Sequence, residues 1–286
     1  MTIDFFTSSS NLHIRQSFIS PGIYLDHWAL SLFSEDINLQ NRLIRAIKDK
    51  KGTLVISIIN FMEFASATDP KHSLETESFL DKVLPNIYFA DFDIDKVKNK
   101  ENNMLNNEDR FWPSADLFHL HELYQSSTRH NKPTTAGMFQ KFQAERKYVL
   151  GLKAQVILDI RNAIDSTFKE TSYKSKARNI DPNNERTRTS IILGELLRDF
   201  VLDSNANMSD NDIIDLAHAW TSTNCCDYSL LDNAWRERVK KMECRIQKSS
   251  IKMPIAKCYS KKHNGIESFI DSLEAFNLND ATKPIP

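Results

Sequence analysis

Short apolar runs, each followed by a segment with helical spacing, constrain this chain most. Ile23 to Leu25 reads as a short buried strand, and residues 28–50 then place Leu39, Leu43, Ile44 and Ile47 at helical intervals, with Gly52 as a stop. Thr53 to Ile56 is a second strand. Ser57 can cap a helix running through Thr68, with Pro70 beyond it. A helix over 73–84 and a strand over 87–92 complete the alternation. Strand and helix in regular succession predict an α/β fold with a parallel sheet flanked by helices.

Between residues 95 and 204 the strand signal disappears. Residues 136–170 carry one long helical stripe of Phe139, Phe142, Tyr148, Leu152, Val156, Ile160 and Ile164, and a further helix fits 189–203. Residues 171–189 are polar and basic, with a turn signal at Asp181-Pro182-Asn183-Asn184. Alternation then returns. Ser209 or Asp210 caps a helix through Thr221, a strand covers 225–231, a helix 233–241, and Cys244-Arg245-Ile246 forms a last short strand. The expected organisation is an N-terminal arm (1–20), a first part of the sheet core (21–95), an all-helical insertion (96–204), a second part of the core (205–248) and a basic C-terminal tail with a short helix (249–286).

Six glycines are too few for a phosphate-cradling loop or a dinucleotide fingerprint, and neither motif occurs. No Cys-x-x-Cys pair exists among Cys225, Cys226, Cys244 and Cys258, so buried free thiols in a reducing compartment are expected. The longest apolar run, Thr53 to Ala65, is interrupted by Asn60 and Glu63 and is too short to span a bilayer. A soluble cytoplasmic protein without a membrane partner follows as the expectation. Net charge is −1, yet it is uneven: from Arg236 to Lys262 there are ten Lys or Arg against Glu237 and Glu243. A smaller basic group comprises Lys169, Lys174, Lys176, Arg178, Arg186 and Arg188. Either group can grip phosphates or form a solvated face.

Acids recur where strands end. Asp26 closes the first strand, Glu63 lies in the helix after the second, and Asp232 closes Tyr228-Ser229-Leu230-Leu231. Open α/β sheets place their chemistry beyond such carboxyl edges. On the helix from 209, Asp212, Asp215 and His218 are spaced three apart and share one face. The two acids repel there, and a hard cation such as Mg²⁺ or Mn²⁺ relieves that repulsion through carboxylate oxygens. Each residue also has a plain structural role open to it. Asp26 can cap the helix at Trp28, Asp212 can serve the helix dipole, His218 can be a core histidine, and Asp227 or Asp232 can be turn residues.

The order of these pieces resembles the PIN-domain (PIN-like) nucleases. The resemblance rests on Tyr24-Leu25-Asp26-His27, on Ser57 to Glu63, on Asp212-Ile213-Ile214-Asp215-Leu216-Ala217-His218, similar to the Asp-x-x-Asp-x-x-His variant, and on the strand ending at Asp232. It covers residues 21–95 and 205–248. His27 stands where Asn or Ser is commoner, and Leu230-Leu231 stand where a Thr or Ser usually precedes the last acid. The resemblance implies a divalent-metal-dependent endoribonuclease of toxin or defence type, hydrolysing phosphodiester bonds in single-stranded or structured RNA, or in DNA. It implies Asp26, Glu63, Asp215 and Asp232 as ligands of Mg²⁺ or Mn²⁺, with Asp212 also catalytic and competing with Asp215 for the third acid. His218, Ser57, Trp28 and Asp227 would support the site or touch substrate, Trp28 by stacking on a base. An inhibitory protein partner and a homo-oligomer are compatible with it. The alternative is a catalytically inactive PIN-like module that binds RNA or protein.

Overall fold

A computed structural model describes residues 2–8, 11–66, 69–93, 96–97, 99–100, 113–169, 188–202, 208–249, 251 and 253–277. Five strands form one parallel sheet: β3 (Gly22–Leu25), β4 (Thr53–Ser57), β5 (Ile87–Ala90), β6 (Tyr228–Leu230) and β7 (Lys257–Tyr259), in the spatial order β5-β4-β3-β6-β7. The first four are buried at every position, which is why they read as unbroken apolar runs instead of alternating ones. Register is parallel throughout, with Tyr24 beside Val55 on one side and Ser229 on the other.

Helices fill the crossovers. α1 (His27–Glu35) and α2 (Ile37–Lys50) link β3 to β4, and α3 (Ile58–Ser66) and α4 (Pro70–Val83) link β4 to β5. The single helix expected over 28–50 is two, because Asp36 ends the first and caps the second through Asn38 N and Leu39 N. Between β5 and β6 come α5 (Leu117–His130), α6 (Met138–Ala144), α7 (Arg146–Lys169), α8 (Arg188–Leu196), α9 (Arg198–Leu202) and α10 (Asp210–Cys225). The stripe expected over 136–170 is thus divided at Glu145, and α5 has no counterpart among the expected helices. The basic residues Lys174, Lys176, Arg178 and Arg186 and the turn at 181–184 lie outside the described residues. Arg188 is buried and donates to Asn224 Oδ1, Asn224 O and Pro254 O, so it anchors structure. No helix among the described residues is long and apolar enough to cross a membrane.

Four further expectations are corrected. Residues 1–20 do not form a free arm: β1 (Ile3–Ser8) and β2 (Asn11–Gln16) make an antiparallel hairpin. Gln16 clasps Phe89 through both its side-chain amide groups (2.9 and 3.2 Å), which satisfies backbone on the edge strand β5. Cys244-Arg245-Ile246 is not a strand but part of α11 (Asn233–Lys248), whose buried Trp235, Val239, Met242 and Ile246 form an uninterrupted helical stripe. Cys225 ends α10 and Cys226 caps it, so neither belongs to a strand. Residues 249–286 are not simply a tail, since they supply the edge strand β7 and then α12 (Gly265–Glu274). Arg42 of α2 draws in Glu267, Asp271 and Glu274, fastening α12 to the body.

The loop from β7 to α12 is closed tightly. A Cβ on Gly265 would stand 2.0 Å from the Ser260 carbonyl oxygen, a clash with backbone that no side-chain rotation relieves. Gly265→Ala should therefore cost ~1–3 kcal/mol, read as a lower urea midpoint with an unchanged slope. An unshifted midpoint would show that this loop has slack.

Candidate functional site at the carboxyl edge of the sheet

The strand order reverses between β3 and β6: successive strands lead outward from β3 to β5, then the chain returns to β3's other side. That reversal opens a crevice at the carboxyl ends of β3 and β6. Asp26 directly follows β3, and its backbone N–H still donates to Leu230 O of β6 (3.1 Å). Asp232 leaves β6 next door. Both cap helices, Asp26 through Ala29 N (3.1 Å) and Asp232 through Ala234 N (2.5 Å) and Trp235 N (3.0 Å). In each case one carboxylate oxygen, Oδ1, takes the capping bonds. Capping and a place in the site are therefore compatible.

Glu63 on α3 and His218 on α10 meet across the crevice. His218 Nε2 lies 2.5 Å from Glu63 Oε2, and its Nδ1 lies 2.6 Å from the Tyr24 hydroxyl. Tyr24 reaches Ser57 Oγ (3.1 Å), and Asn60 Oδ1 accepts from Ser57 N (3.0 Å) while its Nδ2 donates to Leu25 O (3.1 Å). Burial pushes the His218 pKa down, but the charge and hydrogen bond of Glu63, followed by Asp26 and Asp215, raise it above its ordinary value. That shift favours the protonated imidazole. In that form both ring nitrogens donate, one to Glu63 and one to Tyr24.

The acids respond to burial and to one another. Burial drives Asp26 well above the usual carboxylate range, with Glu63 and Asp232 adding to the rise against His218 and the Ala29 N–H. Burial likewise lifts Asp215 to about 7, reinforced by Asp232, Glu63 and Asp212. Glu63 is the exception: burial raises it, but His218, His27 and Lys153 together bring it below its ordinary value. Asp26, Glu63, Asp215 and Asp232 thus share one electrostatic neighbourhood. Their ligand atoms are spread out, however. Among the described residues, three such atoms come within 4.8 Å of one another only at Glu35, His72 and Glu75, an exposed to half-buried group on α1 and α4 close enough to share a cation.

The other sequence candidates have their own partners. Asp212 closes a capping box with Ser209 at the start of α10 (Ser209 N to Asp212 Oδ2, 2.9 Å), and its charge is the weakest contributor felt by Asp215. Asp227 accepts from Gly22 N (2.6 Å) at the amino end of β3, the opposite edge from the crevice. Ser57 is buried within the hydrogen-bonded chain. Trp28 is half-buried and packs against the core with its indole N–H buried. Tyr24, Asn60 and Lys153 join the site without having been candidates. Tyr24 is the one polar tip in β3 and Asn60 interrupts an apolar helix, which are faint signals; Lys153, on α7, had none.

Comparisons with known proteins give no match: no protein-family model, curated protein or solved structure is similar to this chain. The site must be read from its own chemistry.

That chemistry has a pH signature. With a folded pKa of about 7 against an ordinary 3.8, Asp215 keeps a proton in the fold that the unfolded chain has lost between those values. Stability therefore falls as pH rises through that window. Metal-free Asp215→Asn should melt several degrees above the unaltered chain at about pH 8 and differ little at about pH 4. Equal gains at both pH values would show that repulsion is not the cause.

Proposed function

We propose that this protein is a divalent-metal-dependent endonuclease of PIN-like type, acting on phosphodiester bonds in single-stranded or structured RNA. One observation carries the reading: Asp26, Glu63, Asp215 and Asp232 come from three distant stretches of chain and share a crevice where burial and mutual repulsion raise two of their pKa values. Such an arrangement costs stability unless a positive charge compensates it. His218 compensates in part, chiefly at Glu63. The sheet order, with the first strand central and the fourth beside it, supports the same reading, because it brings Asp26 and Asp232 to neighbouring strand ends.

The donors fit Mg²⁺ or Mn²⁺. They are carboxylate oxygens, and their spread suits a hard cation that keeps several waters and takes one or two carboxylates directly. Bound there, such a cation would activate water and neutralise phosphate charge. Asp26, Asp215, Asp232 and the outer oxygen of Glu63 would hold it. His218 fixes Glu63 in place, and Tyr24 and Ser57 fix His218. Asp212 stays with its cap. RNA as substrate, a protein inhibitor and a toxin or defence role follow from the family resemblance alone.

A second reading has its own support. Glu63 already has its counter-ion in His218, and no three of the four acids converge as an inner shell would require. These features suit a PIN-like module that binds RNA without cutting it.

Cleavage of a labelled single-stranded RNA separates the two. Under the first reading, Mn²⁺ or Mg²⁺ supports cutting, EDTA stops it and Asp26→Asn reduces it to background. His218→Ala should lower it roughly 10–100-fold, as loss of a ligand's supporting partner does. RNA held in EDTA but never cut with either metal would refute the nuclease and leave the binding module.

A further inference from the structure

Not all of the basic stretch after Asp232 is free to meet a ligand. Arg245 pairs with Glu195 of α8, and Arg238 (3.4 Å) and Lys241 (3.6 Å) both pair with Asp199 of α9. Arg238 also lies over the Phe200 ring at 4.2 Å. These cations fasten α11 to α8 and α9. Part of what remains gathers at one place. Lys240 on α11 and Lys261, Lys262 and His263 after β7 are exposed, and among the described residues the three lysines have no ion pair.

Register brings this group beside the acids. Leu230 of β6 pairs with Tyr259 of β7, so Asp232 and Lys261 stand two residues past the same rung on adjacent parallel strands. Neighbouring strands are only about 4.8 Å apart. Ser260 Oγ donates to Asn233 Oδ1 (3.3 Å), tying the 260–264 loop to the first turn of α11. Arg236 and Lys240, four apart, present one face of that helix, and Glu237 between them feels Arg236, Lys240 and His263 together. Glu237 is the one acid of this group, and Arg236 already pairs with it. The nearby acids of α12 are taken up by Arg42.

We propose that Lys240, Lys261, Lys262 and His263 form a rim that holds the phosphates of a single-stranded nucleic acid next to the one placed at the carboxylate crevice. The proposal rests on the nuclease reading and gives its substrate a direction, from Asp232 outward over β7. A crevice of acids offers a polyanion no attraction, and a cationic rim one strand away supplies it while leaving the acids free for a cation. Phosphate pairing of this kind fixes position without reading sequence.

The test is fluorescence anisotropy of a labelled single-stranded oligoribonucleotide in EDTA, over a range of salt, on the full chain. Lys261→Glu with Lys262→Glu should weaken binding about tenfold or more and flatten the salt dependence by ~0.7 in log–log slope for each phosphate that is no longer neutralised. The control is Lys248→Glu, an exposed change at the far end of α11 that should alter binding less than about twofold. Equal weakening in the control and the rim variant would overturn the rim, as would unchanged binding in the rim variant or no binding by the unaltered chain. Selective weakening in the rim variant upholds it even if no metal supports cleavage, in which case the nuclease reading alone fails.

Discussion

The contact between His218 and Glu63 is what makes the buried acids at the centre of this fold tolerable. Four carboxylates share the strand-edge crevice, and in a medium of low dielectric each raises the cost of ionising the others. Neutral His218 would leave Glu63 without a counter-charge and would give Tyr24 and Glu63 only one ring donor between them. Protonated, it donates to both. The polar chain that follows, through Tyr24, Ser57 and Asn60 to the Leu25 carbonyl, joins β3, β4, α3 and α10. Every member is bonded, and a satisfied buried network of this kind specifies one arrangement of its elements where an apolar contact would accept several. The crevice is built around a compensated charge, and Asp26 and Asp215 are the part left uncompensated.

Much of the sheet was legible because its strands are covered on both sides. Full burial leaves unbroken apolar runs at 23–25, 53–56 and 87–90, and helices with ordinary caps separate them. Where burial is partial, legibility failed. β7 is a half-exposed edge strand of three residues, and its local sequence, Lys257-Cys258-Tyr259, resembles a loop. The more β-like triplet Cys244-Arg245-Ile246 reads as a strand in its place, although Ile246 continues a stripe begun at Trp235. The hairpin of residues 3–16 is hidden among serines, and its reason for existing, cover for the edge of β5, is a contact 73 residues distant.

The site divides along the same line. Acids at strand ends are visible because the chain must stop being apolar there, and Asp26, Glu63, Asp215 and Asp232 do share a neighbourhood. What each side chain is bonded to was not visible. The partners of His218 lie 155 and 194 positions away, so spacing along α10 could suggest a shared face but not an ion pair with Glu63. Asp212 and Asp227 look equivalent to their neighbours in sequence. Local geometry claims the first for a capping box and the second for the Gly22 amide at the wrong edge. Charge counting misleads in the same way, because the acids that neutralise Arg238, Lys241 and Arg245 belong to helices α8 and α9.

The helical segment between β5 and β6 is part of this electrostatic design. A connection from the outer strand β5 back to β6 must cross two intervening strands, so extra length there adds little to the entropy of closing the loop. The chain uses that length to lay α7 against α3 and α10, the two helices that carry Glu63, Asp215 and His218. Lys153 on α7 is thereby close enough to lower Glu63 and to hold down the pKa of His27. His218, His27 and, from the helical segment, Lys153 thus all lower Glu63. The acid that departs most from its neighbours, more readily ionised where Asp26 and Asp215 resist ionisation, owes that difference to all three. A segment that looks like an interruption in the sequence therefore helps to set which carboxylate at the crevice carries charge.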